Sequence, residues 1–363
     1  MLLKQLRLHD FRSYKQLSLT PPGGVTAIVG ENGAGKTNLL EAIHLCCLGR
    51  SHRTSNDKDM IREGTETCGV HAKVLRNIGI DEVGVRLYAK NRSKKMVYVN
   101  GKIVPRIGEM MGHINCVMFS PEDLDIVKGS PQGRRRFVDM LLSQSQPAYF
   151  YAIQSYNNVL KQRNALLKGI AKGQSRQQLD VWDEQLAIRC VPIVRLRQQT
   201  ADKLNVLAQK HYHVISGREQ EILAIRFSSQ LEASLDPQAD LFRMLQQGRE
   251  DDIRRLSTSF GPHRDDLNIF LGGREIKTHG SQGQIRTAAL ALRLSEMDIL
   301  TSVNGDPPLL LLDDVLSELD VSRRTRLISQ LRNVQTLITC TDLKELRGAV
   351  PDCVLNVHDG IVS

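Results

Sequence analysis

The run Gly30-Glu31-Asn32-Gly33-Ala34-Gly35-Lys36-Thr37 puts three glycines, a lysine and a hydroxyl within eight residues. Glycines let a backbone wrap phosphate oxygens, a lysine reaches the outer phosphates, and a threonine hydroxyl can ligate Mg²⁺. The chemistry expected is ATP binding with its metal, with Asn38 carrying the loop into a helix. A second chemical element is Leu309-Leu310-Leu311-Leu312-Asp313-Asp314. Four leucines ending in two carboxylates describe a buried parallel strand that delivers acids at its C-terminal end, where nucleotide sites lie in such sheets. Asp313 would hold Mg²⁺, directly or through water, and Asp314 would orient or deprotonate an attacking water. Lys36, Asp313 and Asp314 are thus the candidate catalytic residues, and Thr37 and Asp313 the candidate metal ligands. A third element, Ser281-Gln282-Gly283-Gln284, precedes the helical run Ile285 to Leu300. It reads either as an anion site or as a polar helix cap.

Lys36 and Asp313 lie 277 positions apart, so the elements between must leave one sheet and return to it. Residues 2–8 alternate loosely, Pro21-Pro22-Gly23-Gly24 marks a turn, and Val25–Val29 reads as a buried strand. Leu39, Leu40, Ile43 and Leu48 fit one face of a helix. Residues 67–105 read as antiparallel strands with a hairpin at Asn100-Gly101. From about 133 to 215 the strand signal vanishes. Ile153, Tyr156, Leu160, Leu167 and Ile170 step by three and four, and so do Leu179, Trp182, Leu186, Ile193 and Leu196. Two amphipathic helices folded back as a hairpin are expected, each at most about 50 Å long. They form either an ordinary helical subdomain or a short coiled coil. Strand and helix signals alternate again from about 256, with a strand at 336–339. The division expected is 1–132, 133–255 and 256–363, in an α/β fold with mixed sheets and an inserted helical arm.

The chain has 363 residues, enough for two or three compact units. Its net charge of +9 favours polyanionic partners. Aromatics are only 4%, which opposes a single-strand binder built on stacked rings. Seven cysteines without any C-x-x-C pair point to reduced thiols and away from a zinc site. No apolar run reaches the roughly 18–20 residues of a membrane span, and Lys4, Arg7, His9 and Asp10 interrupt the start where a signal peptide would be apolar. A cytoplasmic protein without a membrane partner is expected.

The order of phosphate loop, S-x-G-Q, hydrophobic strand with acids and Ser317-Glu318-Leu319-Asp320 resembles that of the ATP-binding-cassette ATPases. The opening Leu8-His9-Asp10-Phe11-Arg12-Ser13-Tyr14 resembles the SMC/Rad50 branch. Within it the chain is similar to the RecF family of bacterial DNA replication and repair proteins. Three stretches carry that resemblance: Pro121 to Pro131 continuing through Arg134-Arg135-Arg136-Phe137-Val138-Asp139, then Gly261-Pro262-His263-Arg264-Asp265-Asp266-Leu267, then Asp313 to Asp320. The resemblance implies an ABC/Rad50-like ATPase head whose ATP is clamped between two copies of the chain, Ser281 of one facing the phosphate loop of the other. It implies a weak, DNA-stimulated ATPase acting as a switch. It also implies binding to gapped, single-stranded or junction DNA, with RecR and RecO as partners in loading RecA, within DNA damage repair and the SOS response.

Two departures stand out. Asp314 sits where most cassette ATPases carry Glu. The histidine expected after the late strand is missing, and Thr341 is its hydrogen-bonding stand-in. Arg12, with Ser13 and Tyr14, packs either near the nucleotide or in a plain strand–turn contact. His263 and Arg264 either touch the clamped nucleotide or form a structural pair. Candidate DNA contacts are Lys94, Lys95, Arg134, Arg135 and Arg136, with Arg53 and Lys58 beside them. The plainer alternative is solvated faces, or arginines pairing with acids. The competing classes are another SMC/Rad50-like repair ATPase, opposed by the shortness of the arm, and an ABC transporter ATPase subunit, opposed by the long helical insert and the signature stretches.

Overall fold

A computed structural model describes residues 1–90, 95–331, 334–346 and 350–363. They form two compact units. The first comprises Met1–Asp123, His211–Arg218 and Ala289–Ser363; the second comprises Leu124–Lys210 and Glu219–Ala288. Among the described residues, no helix is long and apolar enough to cross a membrane.

In the first unit, distant segments assemble one six-stranded sheet. Its order is Ile361–Val362, Cys353–His358, Val25–Val29, Thr336–Cys340, Leu309–Asp313 and Cys116–Phe119. Five strands run parallel, and Ile361–Val362 turns back antiparallel. Leu309–Asp313 and Thr336–Cys340 are buried at every position. Both faces of these strands are covered, which is what a run of four leucines requires.

The second sheet is an antiparallel meander ordered Tyr14–Leu19, Leu2–Phe11, Thr67–Arg76, Gly79–Tyr88, Lys95–Val99 and Lys102–Val104. Alternate residues point into the core: Cys68, Val70, Ala72 and Val74 on one strand, and Val83, Val85 and Leu87 on the next. Asn100 and Gly101 take φ of 49° and 79° in the two-residue turn that their sequence favours. The helix Lys36–Leu48 packs against strands of both sheets. It is therefore buried almost all round, not amphipathic.

In the second unit, the helix Pro147–Ile170 buries Tyr149, Tyr156, Val159, Arg163, Leu167 and Ile170. Its neighbour runs antiparallel, since Ser155 bonds Arg189 and Arg163 bonds Asp183. That neighbour is longer than expected: it spans Leu179–Ser216, 38 residues and about 57 Å, of which the stretch from His211 belongs to the first unit. Ala201, Leu204, Ala208, Tyr212 and Ile215 keep the buried three-and-four spacing past Leu196, and the chain breaks only at Gly217, with φ 68°. The seam contains Arg163, fully buried and paired with Asp183 and Asp252 at 2.6 Å each. A charge is tolerated there because both acids offset it and Thr258 adds a hydrogen bond, although Nη2 has no partner among the described residues.

The expected three-part division differs from the observed one. Asp266–Leu271 pairs with Leu223–Ser228, so residues 256–288 join the middle of the chain in a three-stranded sheet with Arg274–Glu275. The middle is not purely helical, and the Ser281 stretch lies in the second unit.

Candidate nucleotide site

The phosphate loop leaves Val29 at the C-terminal end of a central parallel strand and enters the helix Lys36–Leu48 at Gly35. No side chain caps that helix and its first turn holds no acid, so its N–H groups are available to an anion. Close approach dictates two of the glycines. A Cβ on Gly30 would lie 2.3 Å from the Val357 carbonyl oxygen. Gly35, at φ 111°, has Ser13 Oγ 2.6 Å from that position, while the Tyr14 hydroxyl donates to its carbonyl at 3.0 Å. Gly360 N donates to Ala34 O, so the C-terminal hairpin braces the loop from behind. Glu31, Asn32 and Gly33 face solvent. Lys36 is buried and its Nζ donates to the loop carbonyls of Gly30 at 2.5 Å and Glu31 at 2.9 Å.

The acids arrive from the neighbouring strands. Thr339 is the register partner of both Ile28 and Asp313, so it lies between the phosphate-loop strand and the acid-bearing strand. Asp313 Oδ1 accepts from Thr37 Oγ1 at 2.9 Å and from Thr339 Oγ1 at 2.8 Å. The Thr339 hydroxyl also accepts from the Asp314 N–H at 2.9 Å. Asp314 itself is exposed and sits at φ 52°, a left-handed conformation that side chains rarely adopt. Burial pushes the Asp313 carboxyl up and Glu122 adds to this, against hydrogen bonds from Thr339 and Thr37. A desolvated carboxylate beside a threonine hydroxyl is a hard-oxygen pair that a divalent cation would relieve. Among the described residues no group of three or more His, Cys, Asp or Glu could hold a metal. One carboxylate and one hydroxyl, Asp313 and Thr37, fit Mg²⁺ carried on phosphates, which needs only one or two protein ligands.

Thr339 was not singled out by the sequence, because only strand register makes it a neighbour of Asp313. Thr339→Val keeps the shape but removes the hydroxyl. We expect it to cost about 1–3 kcal/mol of stability in urea denaturation, with Thr339→Ser restoring most of it.

Several residues expected near the nucleotide are engaged elsewhere. Arg12 forms a two-pronged pair with Glu41, at 2.8 and 2.7 Å, so it holds the phosphate-loop helix through a buried acid. Ser51 also donates to Glu41. Thr341 donates its hydroxyl to Glu345. Asn38 links Ser13 and Arg53 beside the loop. In the second unit, Ser281 and Gln284 form a reciprocal cap: Ser281 N donates to Gln284 Oε1 at 2.9 Å, and Gln284 N to Ser281 Oγ at 3.3 Å. Gln282 is exposed and Gly283 half-buried at the same helix start.

The expected DNA contacts are mostly corrected. Lys94 lies outside the described residues. Lys95 is 13% exposed and tied to Asp57 at 2.9 Å and to the Gly49 carbonyl. Arg134 is buried and grips Asp266 through two bonds of 2.7 and 2.8 Å. Arg135 donates to the Asp265 carbonyl, and of the three only Arg136 is exposed. Lys58 is exposed as well. The reason is common to the second unit: its two signature stretches bond to each other. Arg197 adds Asp139, Asp265 and the Pro262 carbonyl to the same network. His263 Nε2 donates to Thr258 O and its Nδ1 accepts from the Tyr156 hydroxyl, a neutral arrangement that burial favours by pushing the imidazole down to about 4. Arg264 donates to the same Thr258 carbonyl, so the pair is structural here. Arg134→Ala strands a partly buried carboxylate. It is expected to cost about 3 kcal/mol in denaturant unfolding; a loss under 1 kcal/mol would contradict this role.

Comparison with known proteins agrees with this architecture. A family model described as the RecF/RecN/SMC N terminal domain matches residues 2–359. The DNA replication and repair protein RecF of Symbiobacterium thermophilum is 41% identical, over 95% of this chain and 93% of its own. That of Shouchella clausii is 39% identical, over 100% and 99%. A solved structure described as the recombination mediator protein RecF with ATP, in the RecFOR pathway, is 35% identical with a TM-score of 0.92, over 100% of this chain and 97% of its own. A solved SMC head, 16% identical with a TM-score of 0.59, covers 100% of this chain and 97% of its own and shares the fold. A phosphate loop, a strand-borne acid pair and a meander in one unit, with relatives matched end to end, lead to one assignment: the chain belongs to the RecF family of DNA replication and repair proteins.

Proposed function

We propose that the chain is an ATP-driven switch of DNA repair. It binds ATP with Mg²⁺, pairs with a second copy of itself while ATP is bound, and separates on slow hydrolysis. In the paired state it binds gapped, single-stranded or junction DNA and promotes RecA loading with RecO and RecR, in the cytoplasm. The observation that carries this reading is the meeting of Thr37, Asp313 and Thr339 within 2.9 Å at the foot of the phosphate loop. The RecF relative described with ATP supports it. Mg²⁺ held by Thr37 and Asp313 would neutralise charge on the phosphates. Lys36 would exchange its loop carbonyls for phosphate oxygens. Asp314, exposed and aimed by its left-handed backbone, would orient the attacking water. Ser281 would meet the nucleotide of the second copy. The test is binding to gapped, single-stranded and duplex DNA side by side, with and without ATP, by fluorescence anisotropy. Tighter binding with ATP and a preference for the gapped substrate support the reading. Binding indifferent to both overturns it.

A further inference from the structure

With Lys95, Arg134 and Arg135 engaged internally, Lys58 and Arg136 stay exposed, and further exposed cations lie on the meander. The outward face of the antiparallel meander has two cross-strand rows. One runs Ser18, Arg7, His71, Gly84, Tyr98 and Ile103. The next runs Gln16, His9, Gly69, Arg86 and Met96. Neither row contains a carboxylate. Arg7 and Arg86 are exposed and make no hydrogen bond or ion pair among the described residues. Gly69 leaves a gap between His9 and Arg86 in the second row, with nothing within 4 Å of where its Cβ would sit, whereas Gly84 is covered by the His71 and Tyr98 side chains. The result is an acid-free stretch of sheet surface with an exposed guanidinium in each row. The acids nearby are spoken for, Glu82 by Lys73 at 2.8 Å and His71 at 3.5 Å, and Asp10 by His9 at 3.3 Å.

We infer that this sheet face is a docking surface for duplex DNA, with Arg7 and Arg86 as phosphate contacts. The inference rests on the DNA-binding reading above and assigns it a place. Charge complementarity selects a polyanion. The spacing selects a duplex: two strands and one row separate the two arginines, about 12 Å between backbones, close to the width of the duplex major groove. The rings do not offer a stacking platform for single strands, because Tyr88 and Tyr98 are half-buried and the Tyr88 hydroxyl contacts the Met96 sulfur at 3.4 Å.

The test uses the full chain with ATP and Mg²⁺, titrating salt against a labelled duplex and a single strand by fluorescence anisotropy. Arg7→Glu with Arg86→Glu should reduce the slope of log affinity against log salt by about two. Duplex affinity should fall at least about tenfold and ATP affinity should stay unchanged. Glu82→Gln, which removes the acid beside the two rows, should tighten duplex binding about two- to threefold, an effect misfolding does not produce. If wild type binds duplex and the double variant keeps the same slope, the sheet face is not the surface. An equal loss on single strands overturns the duplex assignment. If wild type binds no DNA under any condition, the DNA-binding reading itself fails, and this surface with it.

Discussion

Lys36→Met is expected to lower ATP affinity roughly a hundredfold, about 3 kcal/mol. The Lys36 ammonium already lies inside the loop, donating to the Gly30 and Glu31 carbonyls. A nucleotide would replace those neutral acceptors by charged phosphate oxygens, and charge-assisted bonds are about twice as strong. Methionine keeps the apolar stem along the helix but cannot donate, so the loop should fold as before. Titration with a fluorescent ATP analogue reads the loss, and thermal unfolding without nucleotide should hardly change. An affinity within about threefold of wild type would mean that Lys36 serves only to close the loop.

Ser281 gives the second large effect. In the pairing proposed above the Ser281 stretch of one copy would meet the nucleotide on another, so a change there should abolish ATP-driven pairing while sparing ATP binding. The capping box complicates the obvious variant: Ser281→Arg also removes the cap from the helix Gln282–Asn304, at about 1 kcal/mol. Ser281→Asp keeps a capping acceptor but sets a negative charge where a phosphate is expected. Like charges meeting across an interface cost several kcal/mol, and the arginine of Ser281→Arg is too bulky for the close approach a serine allows, so both variants should weaken pairing at least about a hundredfold. Light scattering with ATP and Mg²⁺ decides. If Ser281→Asp pairs like wild type, the residue is only a helix cap.

Much of the site was legible because its parts are local. A glycine-rich turn, its lysine and its threonine are contiguous, and the loop's geometry follows from the close approach that Gly30 and Gly35 allow. Four leucines before two acids could only be a strand covered on both faces, and it is. The Asn100-Gly101 turn and the alternation around it belong to the same class of short-range signal. The second arm helix overran its expected end for a related reason: its later core residues are alanines as well as large side chains, which weakens the periodic signal without weakening the packing.

Side-chain partners were not legible, since a charge carries no mark of what will neutralise it. Arg12, Lys95, Arg134 and Arg135 looked alike in a basic chain, yet each has a partner brought from 29 to 132 residues away or, for Lys95, from 38. Arg7 stood out only as a charge interrupting the start of the chain and Arg86 not at all, and both stay free because antiparallel pairing turns them outward in rows without acids. Thr339 shows the same division most sharply. By itself the sequence determined that a phosphate loop, an acid pair and a polar helix start exist, because each is written in neighbouring residues. Only the tertiary structure decided that Thr339 stands between the loop's strand and Asp313, because parallel strands joined by long crossovers have a register that is set by packing and not by any turn.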